Sequence, residues 1–331
     1  MPQAAVMQEE DQRDSGSFMP IKLASLRLDT VTNFDIYFQP APGQPFVLYS
    51  ERNVRFTDAV RQRLLDSNLD TVYIRASHQG AYGRYVEENL ASILEDESIP
   101  VEEKSEALYA ASSGLVEDIL QEPGSSDNVK RSKDIVKSTV NFMLTERDSF
   151  SALLKQVSLD YKIYTHSVNV VTYSVSLAQR SGHASSATLR ELAIGALLHD
   201  VGKSRINPDI LASSAALSER QWEEMRQHPV YGYEILSATG AVGEIALDIV
   251  LHHHEKRRGG GYPDNLAGDS ISPFVRIVSI ADVFDALTTN RPFQQAQKTF
   301  TALSIMRTRL AADLDPELFR AFVDMMGHPA R

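Results

Sequence analysis

Cysteine is absent from the 331-residue chain. That excludes disulfides, thiolate-held zinc or iron–sulfur clusters and a thiol nucleophile. Any metal must be held by His, Asp and Glu, a ligand set suited to Mn, Fe, Zn or Ni. Positive charge is also in short supply: 33 Lys+Arg stand against 44 Asp+Glu, a net charge of −11. Such a chain is a poor non-specific binder of nucleic-acid polymers or anionic membranes, and an anionic substrate would need a local patch of opposite sign. Long apolar runs are missing as well; none approaches the ~18–20 residues that span a bilayer. Residues 1–17 have neither a basic n-region nor an apolar h-region, so they are read as a disordered leader and not a signal peptide. A soluble, cytoplasmic protein is expected. What is present is ordinary globular material, 43% hydrophobic and 23% charged, enough for a sizeable core.

The chain changes character along its length. Phe34–Phe38 and Phe46–Tyr49 are short aromatic and β-branched runs separated by Pro40, Pro42, Gly43 and Pro45, which predicts a hairpin with a long loop. A short helix over Asp58–Leu65, a strand over Val72–Ile74 and a helix over Tyr82–Leu94 complete a small α+β domain, residues 18–95. Residues 96–150 turn helical in period, broken at Pro123-Gly124-Ser125-Ser126, and are read as a helical connector that transmits a signal, mediates dimerisation or simply packs on the next domain. From residue 151 to 331 the pattern is helical throughout, with runs at Val168–Ala178, Leu189–Leu198, Glu219–Gln227, Val242–Leu251, Phe274–Thr288 and Thr301–Ala311. The expected fold class is therefore an α+β N-terminal domain followed by an all-α helical bundle.

Seven of the nine histidines fall between residues 166 and 254. His199-Asp200 closes an apolar helical run, and Lys203 follows three residues on, where it can present a cation to a phosphate. An imidazole offers one firm nitrogen ligand, and a carboxylate has two oxygens that can bridge a pair of cations. A helix end with solvated polar residues explains that cluster equally well. His228-Pro229 marks a helix start, and His252-His253-His254-Glu255 closes another helix. Beyond it, Lys256–Gly261 carries three basic residues and three glycines before Tyr262-Pro263. The glycines are a flexible turn or a backbone that approaches a ligand closely, with Tyr262 as a stacking face. Asp282 and Asp285 sit among Ile277, Ile280 and Phe284, so at least one carboxylate should point inward, where a metal or basic partner would offset its burial.

The order His166, His199-Asp200-Val201-Gly202-Lys203, His228-Pro229, His253-His254-Glu255, Gly261-Tyr262-Pro263, Arg276-Ile277, Asp282, Asp285, Arg291-Pro292 and Asp315-Pro316-Glu317 resembles the HD-GYP family. These are bacterial phosphodiesterases of the HD metal-dependent superfamily that hydrolyse cyclic di-GMP. The resemblance covers about residues 150–325 and implies a helical HD-type fold with two divalent metal ions, iron or manganese. Carried over, it implies metal ligation by His166, His199, Asp200, His228, His253, His254 and Asp282, with Asp200 bridging. It implies that Asp200 and Lys203 serve catalysis, and that Lys203, Gly261, Tyr262, Asp285 and Arg291 meet the substrate. Of the three adjacent histidines His252 is the weakest ligand candidate. Three positions depart from the family. Lys162 stands where members with a third metal carry Glu, Arg258 replaces a loop Asp, and Gln294 replaces a basic residue. The first points to two metals rather than three.

The expected reaction is hydrolysis of cyclic di-GMP to pGpG, a second cut to GMP being disfavoured with two metals, and Lys203, Arg257, Arg258 and Arg291 with the metals supply the positive field that the whole chain lacks. Two alternatives stand beside it. One is a degenerate module that binds a cyclic dinucleotide or a signalling partner, such as a diguanylate cyclase, without turnover. The other is hydrolysis of a different nucleotide, such as cyclic GMP-AMP. A homodimer is a further expectation, and the N-terminal domain is read as regulatory or partner-binding.

Overall fold

The computed structural model describes residues 17–67, 69–157, 162–183, 185–290 and 295–328. The expected leader lies outside the described residues except for Ser17. The chain forms two compact units, Met1–Ile99 and Pro100–Arg331.

In the first unit, strands β1 (Phe18–Lys22), β3 (Ile36–Phe38), β4 (Val47–Ser50) and β6 (Thr71–Arg75) form an antiparallel sheet in the order β1-β6-β3-β4. A short ribbon pairs β2 (Thr30–Val31) with β5 (Arg55–Phe56). The hairpin read from the proline- and glycine-rich gap is β3–β4. Alternation along β6 buries Val72 and Ile74 on one face. The opposite face gathers aromatics: Phe18 stacks on Phe46 at 4.0 Å, and Phe46 meets Tyr73 at 4.8 Å. Helix α1 spans Asp58–Asp66. The helix expected over Tyr82–Leu94 is two pieces, α2 (Gln79–Glu88) and α3 (Leu90–Glu95). The break is at Asn89, where the backbone leaves helical geometry (φ −102°, ψ 6°) and the Tyr85 carbonyl accepts from both the backbone N–H and the side chain of Asn89. β1 carries Pro20, tolerated because β1 is an edge strand.

The second unit is helical: α4 (Val101–Gln121), α5 (Ser126–Thr145), α6 (Ser149–Leu154), α7 (Ile163–Arg180), α8 (Ser186–Leu198), α9 (Pro208–Leu211), α10 (Glu219–Met225), α11 (His228–Ala238), α12 (Glu244–His252), α13 (Pro273–Thr288), α14 (Thr299–Arg309) and α15 (Pro316–Gly327). Helix α7 is its centre. Every residue from Thr165 to Ala178 is buried, the signature of a helix covered on all sides. It packs on α4, α8, α13 and α15. Ser167 and Thr172 turn their hydroxyls back onto the helix, Ser167 to the Ile163 carbonyl at 3.2 Å and Thr172 to the Val168 carbonyl at 3.0 Å. Around it, α12 lies on α8 and α11 lies on a short 3-10 turn, Val201–Arg205. Four of the helical ends so gathered carry the histidines.

Candidate metal centre

The site is built at helix ends, where backbone carbonyls free of intrahelical partners can orient imidazoles. His199 follows α8, and its Nδ1–H donates to the Ala196 carbonyl at 2.8 Å. His228 opens α11 and donates from Nδ1 to the Met225 carbonyl at 2.7 Å. His253 follows α12 and donates from Nδ1 to the Val250 carbonyl at 3.0 Å. In each ring the Nδ1 proton is thereby fixed, and Nε2 carries the lone pair. His166, on α7, is fixed the same way by a carboxylate: its Nδ1 lies 2.7 Å from Asp285 Oδ2.

These nitrogens form two groups, His166 with His199 and Asp200, and His228 with His253 and His254; within each group the ligand atoms lie within 4.8 Å of one another. Asp200 faces both. Its Oδ1 is 3.3 Å from His228 Nε2, while its Oδ2 is 3.4 Å from His199 Nε2 and 3.7 Å from His166 Nε2. Asp282, on α13, joins the first group, with Oδ1 3.2 Å from His166 Nε2. All seven residues named as ligands therefore converge. His252 does not: its two nitrogens lie 2.7 Å from Asp248 and 3.0 Å from Asp264, outside both groups.

Two observations show that the donors fit metal ions. His199 Nε2 is buried and makes no hydrogen bond among the described residues. His228 Nε2 and His253 Nε2 face each other at 3.2 Å although both Nδ1 atoms hold the ring protons. Two lone pairs at that distance repel unless a cation sits on them. Protonation is not the remedy. Burial, with the charge of His254 added, depresses His228 to about 3 and His253 well below the usual imidazole range, and burial takes His254 to about 4 despite Asp282. For Asp200, burial opposes ionisation, but Lys203 and His199 outweigh it and hold the carboxyl well below its usual range. Burial is likewise outweighed at Asp282, chiefly by His166. Neutral imidazoles and ionised carboxylates are the forms that bind metal.

The remaining expectations meet mixed outcomes. Lys203 lies in the 3-10 turn with its ammonium on Asp200 Oδ2. Tyr262 tilts over His254, ring centroids 4.8 Å apart. Gly261 lies against Glu255: a Cβ there would stand 2.5 Å from Glu255 Oε2, so the close packing of the loop requires glycine at this position. Asp285 lies behind His166. It is wholly buried, with one oxygen on His166 and the other accepting from Asn169 Nδ2 at 2.8 Å. Arg258 and Lys256 share Asp313, and Arg257 lies 3.7 Å from Asp315, so the positive field expected of this loop is offset only in part. Asp315 is held in turn by Arg276 at 2.7 Å and caps α15. Arg291 and Gln294 lie outside the described residues. Lys162 sets its ammonium 5.3 Å from the Tyr164 ring centroid.

Sequence reasoning missed Glu255, which is buried and accepts from the backbone N–H of Asp264 at 2.7 Å and Leu266 at 3.0 Å, bracing the loop that carries Tyr262. Its position directly after the histidine pair was the available signal. It also missed Asn169.

Comparison with known proteins now bears on the assignment. A family model described as HD domain matches residues 133–318. The chain belongs to the HD domain family. The resemblance read from the motifs is borne out. Among relatives, the HD chain is 31% identical over 204 residues to a protein named cyclic di-GMP phosphodiesterase PA4108 from Pseudomonas aeruginosa, covering 62% of this chain and 49% of that protein. It is 37% identical over 156 residues to one named 3'3'-cGAMP-specific phosphodiesterase 3 from Vibrio cholerae, covering 47% and 34%. The chain thus spans half or less of the length of these two relatives. In fold it resembles the solved structure of Bd1817, a HDG"Y"P protein from Bdellovibrio bacteriovorus, with a TM-score of 0.67 at 22% identity over 94% of this chain and 100% of that one. No helix among the described residues is long and apolar enough to cross a membrane.

Proposed function

We propose that the helical unit is a metal-dependent phosphodiesterase that opens cyclic di-GMP to linear pGpG, using two divalent ions, iron or manganese. The observation that carries this reading is Asp200, whose two oxygens address the two histidine groups separately. Bound there, divalent cations supply Lewis acidity and lower the pKa of water, the chemistry that phosphodiester hydrolysis requires. His166, His199, Asp200 and Asp282 would hold one ion; His228, His253, His254 and Asp200 the other.

The chain's own residues do the rest. Lys203, which is only partly buried, carries the cation nearest Asp200 and can turn it onto a non-bridging phosphate oxygen as negative charge builds there. Tyr262 gives a flat face beside His254 on which a purine can lie, so that the phosphate meets the histidines in a fixed orientation. Glu255 keeps that face in place through two backbone N–H groups. Lys203 and the ions supply the nearest attraction for the substrate, and Arg257 and Arg258, offset in part by Asp315 and Asp313, add to the field around it.

The relatives named for cyclic di-GMP and for 3'3'-cGAMP both match well, so a second substrate belongs to the reading. Purified protein loaded anaerobically with Fe²⁺ or Mn²⁺ is incubated with each cyclic dinucleotide and the products are separated by chromatography. Linear dinucleotide from cyclic di-GMP, faster than from 3'3'-cGAMP, is expected. The reverse order reassigns the substrate. Tight binding without product, with every metal tried, contradicts the enzyme reading.

A further inference from the structure

Behind His166 runs a polar chain that reaches a helix outside the segment matched by the HD model. Tyr109, on α4, donates to Asn169 Oδ1 at 3.0 Å. Asn169 Nδ2 donates to Asp285 Oδ1 at 2.8 Å, and Asp285 Oδ2 meets His166 Nδ1 at 2.7 Å. The order of donors is forced. A carboxylate only accepts, so the amide must present its nitrogen to Asp285, which leaves its oxygen for the phenol. Asn169 and Asp285 are wholly buried. Tyr173 lies near enough to the carboxylate to be pushed up in pKa by burial first and by the charge of Asp285 next.

Fold stability does not account for this arrangement. Burying an amide and a carboxylate costs several kcal/mol that well-packed apolar side chains would avoid. What it changes is at its end. Asp285 fixes the tautomer of His166, and Asn169, one turn further along α7, stops the carboxylate from rotating away. We propose that Asn169, held by Tyr109, is a positioning residue for the metal ligand His166, so that α4 takes part in setting affinity at the ion of His166, His199, Asp200 and Asp282. The inference rests on the metal-centre reading above.

The test reads metal binding directly. Metal-free full-length protein is titrated with Co²⁺, and the dissociation constants and ligand-field bands of the bound ions are followed. Asn169→Leu removes both amide bonds at similar volume and is expected to weaken one ion about 10–100-fold while leaving the other unchanged. Tyr109→Phe, which keeps the ring and removes the hydroxyl, is expected to weaken the same ion about 3–10-fold, as for a single neutral hydrogen bond. A lower melting temperature of the metal-free variants with wild-type affinities and bands at both ions would overturn the inference, leaving Asn169 a packing residue. If Asn169→Leu does not fold, Tyr109→Phe decides by the same criterion. Wild-type protein that binds no Co²⁺ would overturn the metal centre itself, and this inference with it; wild-type binding with unaffected variants overturns only the latter.

Discussion

At His228 and His253 the backbone carbonyls of Met225 and Val250 decide the chemistry, because they take the ring protons and leave two Nε2 lone pairs face to face. A pH dependence follows. These histidines, with His254, have depressed folded-state values, so between about pH 6.5 and 4 the unfolded chain binds more protons than the folded one. Stability that is present above the unfolded value is therefore lost as pH falls. His252, raised first by its bond to Asp248, works in the opposite sense, but it is one residue against three. The metal-free protein is expected to melt at lower temperature at pH 5 than at pH 7, each buried histidine contributing at most about 2 kcal/mol over that window. A flat or rising melting temperature on acidification would contradict the neutral assignment. Asp200→Ala is expected to reduce turnover at least about 10³-fold while circular dichroism retains the helical signal, since it removes the oxygens that address both groups. The ligand candidates were legible because each stands in a short motif. Asn169 was not, and Asp285, though singled out, was not matched to it, since the two meet across 116 positions and nothing local announces the pair.

Helix ends carry the site, so the packing of short elements matters more than the length of long ones. Gly202 shows this. A Cβ there would stand 1.9 Å from the His228 carbonyl oxygen and 2.5 Å from the Gly232 nitrogen, both backbone atoms of α11. Gly202→Ala is expected to cost about 3 kcal/mol or more in urea unfolding and to shift His228 out of its group; unchanged stability would mean that the 3-10 turn and α11 part easily. Glu255→Ala is expected to raise KM for the cyclic dinucleotide more than it lowers kcat, because the Glu255 carboxylate holds the Tyr262 loop through the Asp264 and Leu266 N–H groups. Equal losses in both would place Glu255 in the chemical step. The long helices were readable from apolar period, from α7 to α14. The division at Asn89 was not, because the buried positions Tyr85, Val86, Leu90, Ile93 and Leu94 keep a helical period across it. Nor was the pairing of Lys256 and Arg258 with Asp313, which lies well beyond the loop in sequence.

On the scale of the whole molecule, a net charge of −11 coexists with a site proposed for an anionic dinucleotide. Acidic surface argues against nucleic-acid polymers, but a small cyclic ligand responds to a few groups at short range, here Lys203 and the ions. The absence of cysteine fits a centre built wholly from imidazole and carboxylate donors. Residues 96–150, read from sequence as a connector, lie almost entirely in the second unit, where α4 supplies Tyr109 to the chain behind His166. Apolar period alone does not distinguish a helix that links domains from one that packs inside a bundle. The central claim is that two histidine groups joined by Asp200 hold two metals. Elemental analysis of anaerobically purified full-length protein, with Asp200→Ala alongside, tests it most directly: two iron or manganese ions per chain in the wild type and less than one in the variant is the expected result, and a wild type that holds none would contradict it.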